Sequence, residues 1–224
     1  MDKRFRMVRD PFSDIRSLYD AFDTEICGLD CGMMCMANNP AGKPFCCDIC
    51  HAVPAVYNEE WAYLQPNTNL WHIWREDECG NGKAGEFDRL MAETPENMLL
   101  LACRGPQECQ RSFRSLSCRQ FPFFPYVSSA YRFLGLAYDR EFAEKCWVID
   151  HLEAVTPLYR QQFVALHDRI FAFSQDIFES YYDLSEQMRS YYSSNKRRFR
   201  ILHRNGKDYM VSPGSERLSK ISMI

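Results

Sequence analysis

The chain has 224 residues, a formal net charge of −3, 25% charged residues and 46% hydrophobic ones, the composition of a globular protein able to bury its own core. Its near-neutral charge gives no ground to expect bulk, charge-driven nucleic-acid binding. No stretch is long and apolar enough to span a membrane, and residues 1 to 11 lack the apolar core of a signal peptide.

In chain order, Asp10-Pro11 predicts an N-cap and a first helical turn, with Ile15, Leu18, Tyr19 and Phe22 on one apolar face. Cys27, Cys31 and Cys35 follow at four-residue steps, then a turn-rich loop over 36–45, then Cys46-Cys47-Asp48-Ile49-Cys50-His51. Asn58 predicts the cap of a helix that includes Trp61 and Leu64. Trp71 and Trp74 stand one helical turn apart as packing residues. Residues 76–85 predict a polar surface loop carrying Cys79. The apolar run 98–102 predicts a buried strand delivering Cys103. Cys109 and Cys118 follow, with Arg104, Arg111, Arg114 and Arg119 interspersed. Phe121-Pro122-Phe123-Phe124-Pro125 is a rigid aromatic stretch suited to sealing a site. Residues 131–138 predict a strand, and Cys146 follows.

Thr156-Pro157 opens the longest helical signal. Phe163, Leu166, Ile170, Phe173, Ile177, Tyr181, Leu184 and Met188 form its apolar stripe, with His167 beside it as a structural residue. A capping box at 183–186 would divide this stripe into two helices. The basic tail 196–200 leads into a hairpin whose turn is Asn205-Gly206. The expected architecture is therefore α-rich. It has an irregular, metal-stapled N-terminal part with short strands, a long helix or helix pair, and a terminal β-hairpin. The expected divisions are 1–150, 151–195 and 196–224.

Eleven cysteines are too many, and too clustered, for isolated core packing. In the reducing cytoplasmic setting that the missing signal peptide suggests, short spacings favour metal binding over disulfides. Cys47-x-x-Cys50 is a knuckle spacing shared by zinc and iron–sulfur sites. The candidate ligands are Cys27, Cys31, Cys35, Cys46, Cys47, Cys50, Cys103, Cys109, Cys118 and Cys146, leaving out Cys79. They form one centre or two adjacent ones. Ten thiolates suit one or two four-thiolate iron–sulfur clusters better than a single zinc. The spacing of Cys27, Cys31 and Cys35 approaches the radical-SAM pattern, but its last gap is one residue too long. Cys47-Asp48-Ile49-Cys50-His51 matches a haem-attachment motif, which would require export. Asp30, Asp48 and His51 are the polar side chains next to these cysteines. Guanidinium groups among the later cysteines would favour thiolates.

The chain resembles the YkgJ-like cysteine-cluster family, a zinc- or iron-chelating domain. Cys118-Arg119-Gln120-Phe121-Pro122 is similar to the family's CR-x-FP segment, and Cys103 and Cys109 to the two cysteines before it. Cys31, Cys35, Cys46 and Cys47 stand for its first group, and Cys146 for a late cysteine. The wide loop over 36–45 and the extra Cys27 and Cys50 depart from the pattern. The resemblance covers residues 15–150 and implies metal binding. A related flagellin lysine N-methylase extends the implication, by analogy alone, to group transfer. The expectation is a cytoplasmic metal-binding protein carrying iron–sulfur (4Fe-4S) clusters, in electron transfer or as the cluster part of an enzyme. It would work with a redox or other protein partner. The alternatives are a structural zinc interaction module and a metal-dependent methyltransferase.

Overall fold

The computed structural model describes residues 10–79 and 85–221, apart from the side chain of Glu86. The first nine residues and part of the expected loop over 76–85 lie outside the described residues. A 3-10 turn at Pro11–Asp14, capped by Asp10, precedes α1 (Ile15–Ala21). Then come α2 (Cys31–Met36), β1 (Ala55–Tyr57), α3 (Asn58–Asn67), β2 (Trp71–Ile73), α4 (Glu86–Glu93) and β3 (Met98–Cys103). They are followed by α5 (Leu116–Gln120), β4 (Phe123–Val127), β5 (Phe133–Tyr138) and α6 (Trp147–Asp150). The chain closes with α7 (Pro157–Phe173), α8 (Gln175–Ser194), β6 (Phe199–His203), β7 (Asp208–Ser212) and β8 (Arg217–Lys220).

These elements form two compact units that interleave in sequence. One comprises Met1–Ile26, Phe123–Arg140 and Val155–Ile224; the other comprises Cys27–Pro122 and Glu141–Ala154. Neither follows the expected boundaries at 150 and 195.

The first unit is built on a five-stranded antiparallel sheet in the order β4-β5-β6-β7-β8. The second contains a three-stranded antiparallel sheet in the order β1-β3-β2. The expected α-rich class is therefore corrected to a mixed α and β fold. The predicted hairpin is β6–β7, with Gly206 at φ 80° in its turn. It does not end the fold as a separate ribbon, because Leu202 pairs with Leu136 of β5 and Val211 with Leu218 of β8. Pairings so distant in sequence leave no local signal.

In the first unit, α8 packs on β4, and α7 packs on both α8 and β5. Phe124, Tyr126, Ala137, Met188, Phe199, Ile201 and Val211 form the core between helix and sheet. Phe124 and Tyr126, and Phe199 and Ile201, supply it from one face of their strands, while every residue of β4 is buried, so that strand is covered on both faces. The break in the helical stripe falls at Ser174, whose hydroxyl accepts from the Ile177 N–H at 3.3 Å. It does not fall in the expected capping box. Ser185 lies inside α8, buried, donating to Tyr181 O at 2.7 Å and accepting from Val127 N at 2.9 Å. The break changes the phase of the stripe. Phe173 and Leu184 are exposed, whereas Phe163, Leu166, Ile170, Ile177 and Met188 are buried.

Two arginines of the basic hairpin are held by acids of the same unit. Arg200 pairs with Asp208, and Arg204 pairs with Asp168 at 2.8 Å. Asp208 is buried and also accepts from Arg160 at 2.6 Å. No helix among the described residues is long and apolar enough to cross a membrane.

His167 is fully enclosed in α7 among Phe133, Phe163, Phe171 and Tyr181. Its Nδ1–H donates to Phe163 O at 2.8 Å. Burial pushes its pKa from 6.5 down to about 4. The unfolded chain thus binds a proton that the folded chain refuses between these two values. Stability from this site is complete above pH 6.5, falls as pH drops through the window, and levels off below pH 4. The full loss is about 3 kcal/mol. Urea unfolding at pH 7, 5.5 and 4 should show this fall in the parent chain. His167→Leu should remove that part of the slope.

Candidate metal centre

Every cysteine of the chain belongs to the second unit. Two of them pair. Cys50 and Cys79 form a disulfide across a sequence separation of 29. This corrects the expectation for Cys50, whose sulfur is bonded to Cys79 and is no thiolate ligand. It also gives Cys79 a role that its polar loop did not suggest. The other nine cysteines are free: Cys27, Cys31, Cys35, Cys46, Cys47, Cys103, Cys109, Cys118 and Cys146.

Asp30 starts α2 by accepting from the N–H groups of Gly32 and Met33 at 3.0 and 3.3 Å. This N-cap lets the helix form despite Gly32. Cys31 and Cys35 then share one face, one turn apart. Cys27 lies before the helix, almost completely buried. Gly32 lies against Pro44, where an added Cβ would be 3.0 Å from the ring. This packs α2 on the 3-10 turn Phe45–Cys47. α2 also packs on α6, whose N-cap is Cys146.

The loop before Cys46 is tied internally. Asn39 Nδ2 donates to Lys43 O at 2.8 Å and to Asp48 at 3.2 Å. Asp48, buried, also accepts from Cys50 N and Lys43 Nζ, each at 3.2 Å. Burial alone would raise its pKa, but the hydrogen bonds from Asn39 and Lys43 hold it below the usual value. His51 packs edge-on against Phe45 at 5.3 Å. The three polar neighbours of the cysteines therefore cap a helix, tie a loop and pack on a ring.

The later cysteines are placed by a second network. β3 carries Cys103 at its end, opposite Trp71 of β2. Both tryptophans expected to pack are buried, and Trp71 lies in a strand. Glu60 of α3 is completely buried, and its carboxylate accepts from Leu116 N at 2.8 Å. That bond fixes the start of α5. Ser115 caps α5 by accepting from Cys118 N at 3.2 Å. Arg119 reaches back to the preceding loop. Its Nε donates to Arg114 O at 2.8 Å, and one terminal nitrogen donates to Ser112 O and Arg111 O at 2.9 and 3.3 Å. This holds the chain from 109 to 114 against α5. Arg114 then donates from Nε to Cys109 Sγ at 3.1 Å. Of the four arginines expected among these cysteines, Arg114 meets sulfur, Arg119 braces backbone, and Arg104 pairs with Glu108 at 3.5 Å.

The thiols influence one another in two groups. Burial, then Cys27, Cys146 and Cys35, push Cys31 up to about 12. Burial and Cys35 raise Cys146 to about 11, against backbone N–H groups of Val148 and Ile149 that favour its thiolate. In the second group, burial raises Cys118 to about 12; Arg114 opposes this, while Cys47, Cys109 and Cys103 add to it. Burial, Cys47 and Cys109 raise Cys103, against the Gly105 N–H. Cys46 and Cys47 lie between, with their sulfurs 4.0 Å apart. The hydrogen bond from Cys46, aided by Arg114 and Lys43, lowers Cys47 to about 7, against its burial. The same hydrogen bond, with burial and nearby thiols, raises Cys46 well above its ordinary value.

Among the described residues, no three Cys, His, Asp or Glu side chains gather around one point as a single ion would require. The thiols of each group are electrostatic neighbours rather than a closed cage. Thiols are the donor type that soft metals take, but they are not gathered here as a ligand set.

Removing the Arg119 brace should be costly, since three carbonyls lose a buried charged donor. Arg119→Ala should destabilise the chain by about 3 kcal/mol in denaturant titration. Arg119→Lys should recover little of that loss, because an ammonium cannot reproduce the planar fork. No family profile, curated protein or solved structure matches this chain.

Proposed function

We propose that the cysteine-rich unit is an iron–sulfur site of the four-iron type, serving electron transfer or redox sensing. The observation that carries this reading is convergence. Nine free thiols, drawn from separate stretches around Cys27–Cys35, Cys46–Cys47, Cys103–Cys118 and Cys146, are collected in one unit. Thiols so assembled raise one another's pKa values, a cost that soft-metal coordination reverses. Nine sulfurs exceed the four that one structural zinc takes. The local chemistry also suits a cluster. Arg114 and the N–H groups of Gly105, Val148 and Ile149 favour thiolates in the unit, and hydrogen bonds to cluster sulfur tune potential.

Bound there, an iron–sulfur cluster supplies one-electron transfer. The chain's own residues orient the thiolates, offset their charge and limit water around them. Cys27 and Cys35 are buried, whereas the other free thiols are partly accessible. The resemblance to YkgJ-like cysteine-cluster domains remains part of this proposal and rests on the CR-x-FP segment and its flanking cysteines.

Anaerobic purification should yield a brown chain containing iron and acid-labile sulfide, with a broad visible absorption that bleaches on reduction. A colourless chain carrying stoichiometric zinc would replace this reading with a structural zinc module.

A further inference from the structure

We infer that two copies of this chain pair through the outward face of α8, the acidic stripe of each copy meeting the basic turn of the other. The inference concerns the sheet-bearing unit and does not depend on what the cysteines bind.

The outward face of α8 carries Asp176, Glu179, Asp183 and Glu186, all exposed. Steps of three and four residues set them along one side of the helix. Like charges at this spacing repel, so the stripe costs the isolated chain stability. The one cation within the helix, Arg189, is turned inward. It donates to Val127 O at 2.7 Å and pairs with Glu216 at 3.4 Å. Glu179 accepts from the uncharged Gln175 at 3.1 Å.

At the far end of α8 the chain turns through Lys196, Arg197 and Arg198, which are exposed as well. The backbone fixes this turn. The Lys196 N–H donates to Ser193 O at 3.0 Å and the Arg197 N–H to Tyr192 O at 2.9 Å. Arg140 adds a further cation, its guanidinium 4.3 Å from the centre of the Tyr191 ring. Arg160, Arg200 and Arg204 of the same unit all hold carboxylates. Among the described residues, Lys196, Arg197 and Arg198 hold none, and the four acids of the stripe hold no cation.

The stripe and the turn are thus each other's complement, and α8 cannot bend back to join them within one copy. A second copy, with its α8 antiparallel, joins them twice about one two-fold axis. The apolar residues on this face agree. Leu184 and Tyr191 are both exposed and lie two turns apart on one side. Setting Leu184 against Tyr191 of the second copy sets Glu179 against its Lys196. Asp176 then lies level with its Arg197–Arg198 turn. Gln187 and Ser190, exposed and uncharged, occupy the centre of the face, so no charge meets its own copy at the axis. Exposed ion pairs are individually weak and are screened by salt, so this is a weak, salt-sensitive dimer.

The test is sedimentation of the full-length chain under reducing conditions, where thiol cross-links play no part. The parent chain should dimerise at about 50 mM salt, and its association constant should fall about tenfold or more by about 500 mM. Arg197→Glu with Arg198→Glu, and Glu179→Lys with Asp183→Lys, should each weaken association by a similar factor. Mixed in equal amounts, the two double variants should associate again, because each supplies what the other lacks at both contacts. A parent chain monomeric at low salt, a dimer indifferent to salt, or a mixture no stronger than its components would overturn the proposal. Because a charge-reversed chain can fail to fold, a second readout uses the parent alone. A carbodiimide joins a carboxylate to a lysine amine. It should link Glu179 to Lys196 between light and isotopically heavy copies, as mass mapping would show. Links between copies confined to other residues would equally overturn it.

Discussion

Collecting thiols in a partly buried unit is an electrostatic problem, and the second unit is shaped by it. Each sulfur that ionises makes its neighbours harder to ionise, and burial adds to the resistance, as at Cys31 and Cys118. Packing must therefore be organised by groups other than the thiols. Glu60, Asp48, Asn39, Ser115 and Arg119 carry that task. Each satisfies backbone N–H or carbonyl groups around a loop that carries sulfur. A buried carboxylate or guanidinium persists where its bonds are met, so the cysteine loops inherit their rigidity from residues other than the cysteines.

The same logic separates two kinds of arginine that look alike in sequence. Arg114 and Arg119 are five residues apart in one polar stretch. One aims its Nε at sulfur and the other at carbonyl oxygens. The first is an electrostatic partner of the site and the second a brace for the loop that holds the first. Substituting either changes the site, through charge in one case and through position in the other.

Much of the local structure was legible from the chain. The start of α7 at Thr156-Pro157, the strand that delivers Cys103, and the Asn-Gly hairpin all follow from capping, apolar runs and turn chemistry acting over a few residues. What escaped was set by partners far away. The five-stranded sheet depends on Leu136 meeting Leu202. The Cys50–Cys79 pair spans a segment without a spacing motif. The approach of Cys146 to the helix carrying Cys31 and Cys35 depends on α2 meeting α6. Trp71 and Trp74 had the spacing of a helix, yet β3 pairing drew Trp71 into a strand, because tertiary pairing outweighs a weak local preference. Residues 183–186 looked like a capping box, yet Ser185 within them lies inside α8. Its hydroxyl instead serves β4, which no local pattern announces.

The interleaving of the two units has a consequence for the order in which they form during synthesis. The sheet-bearing unit joins residues far apart in the chain: Thr24 N donates to Gln162 across 138 positions, and its β7 awaits β8 at Arg217–Lys220. The last cysteine, in contrast, has emerged by residue 146. All the thiols are thus available while the strands that complete the other unit are still unmade. Long-range closure is the slower event. The Cys50–Cys79 pair can therefore form on a nascent chain, among nine other thiols able to exchange with it, at a stage when half of the fold does not yet exist.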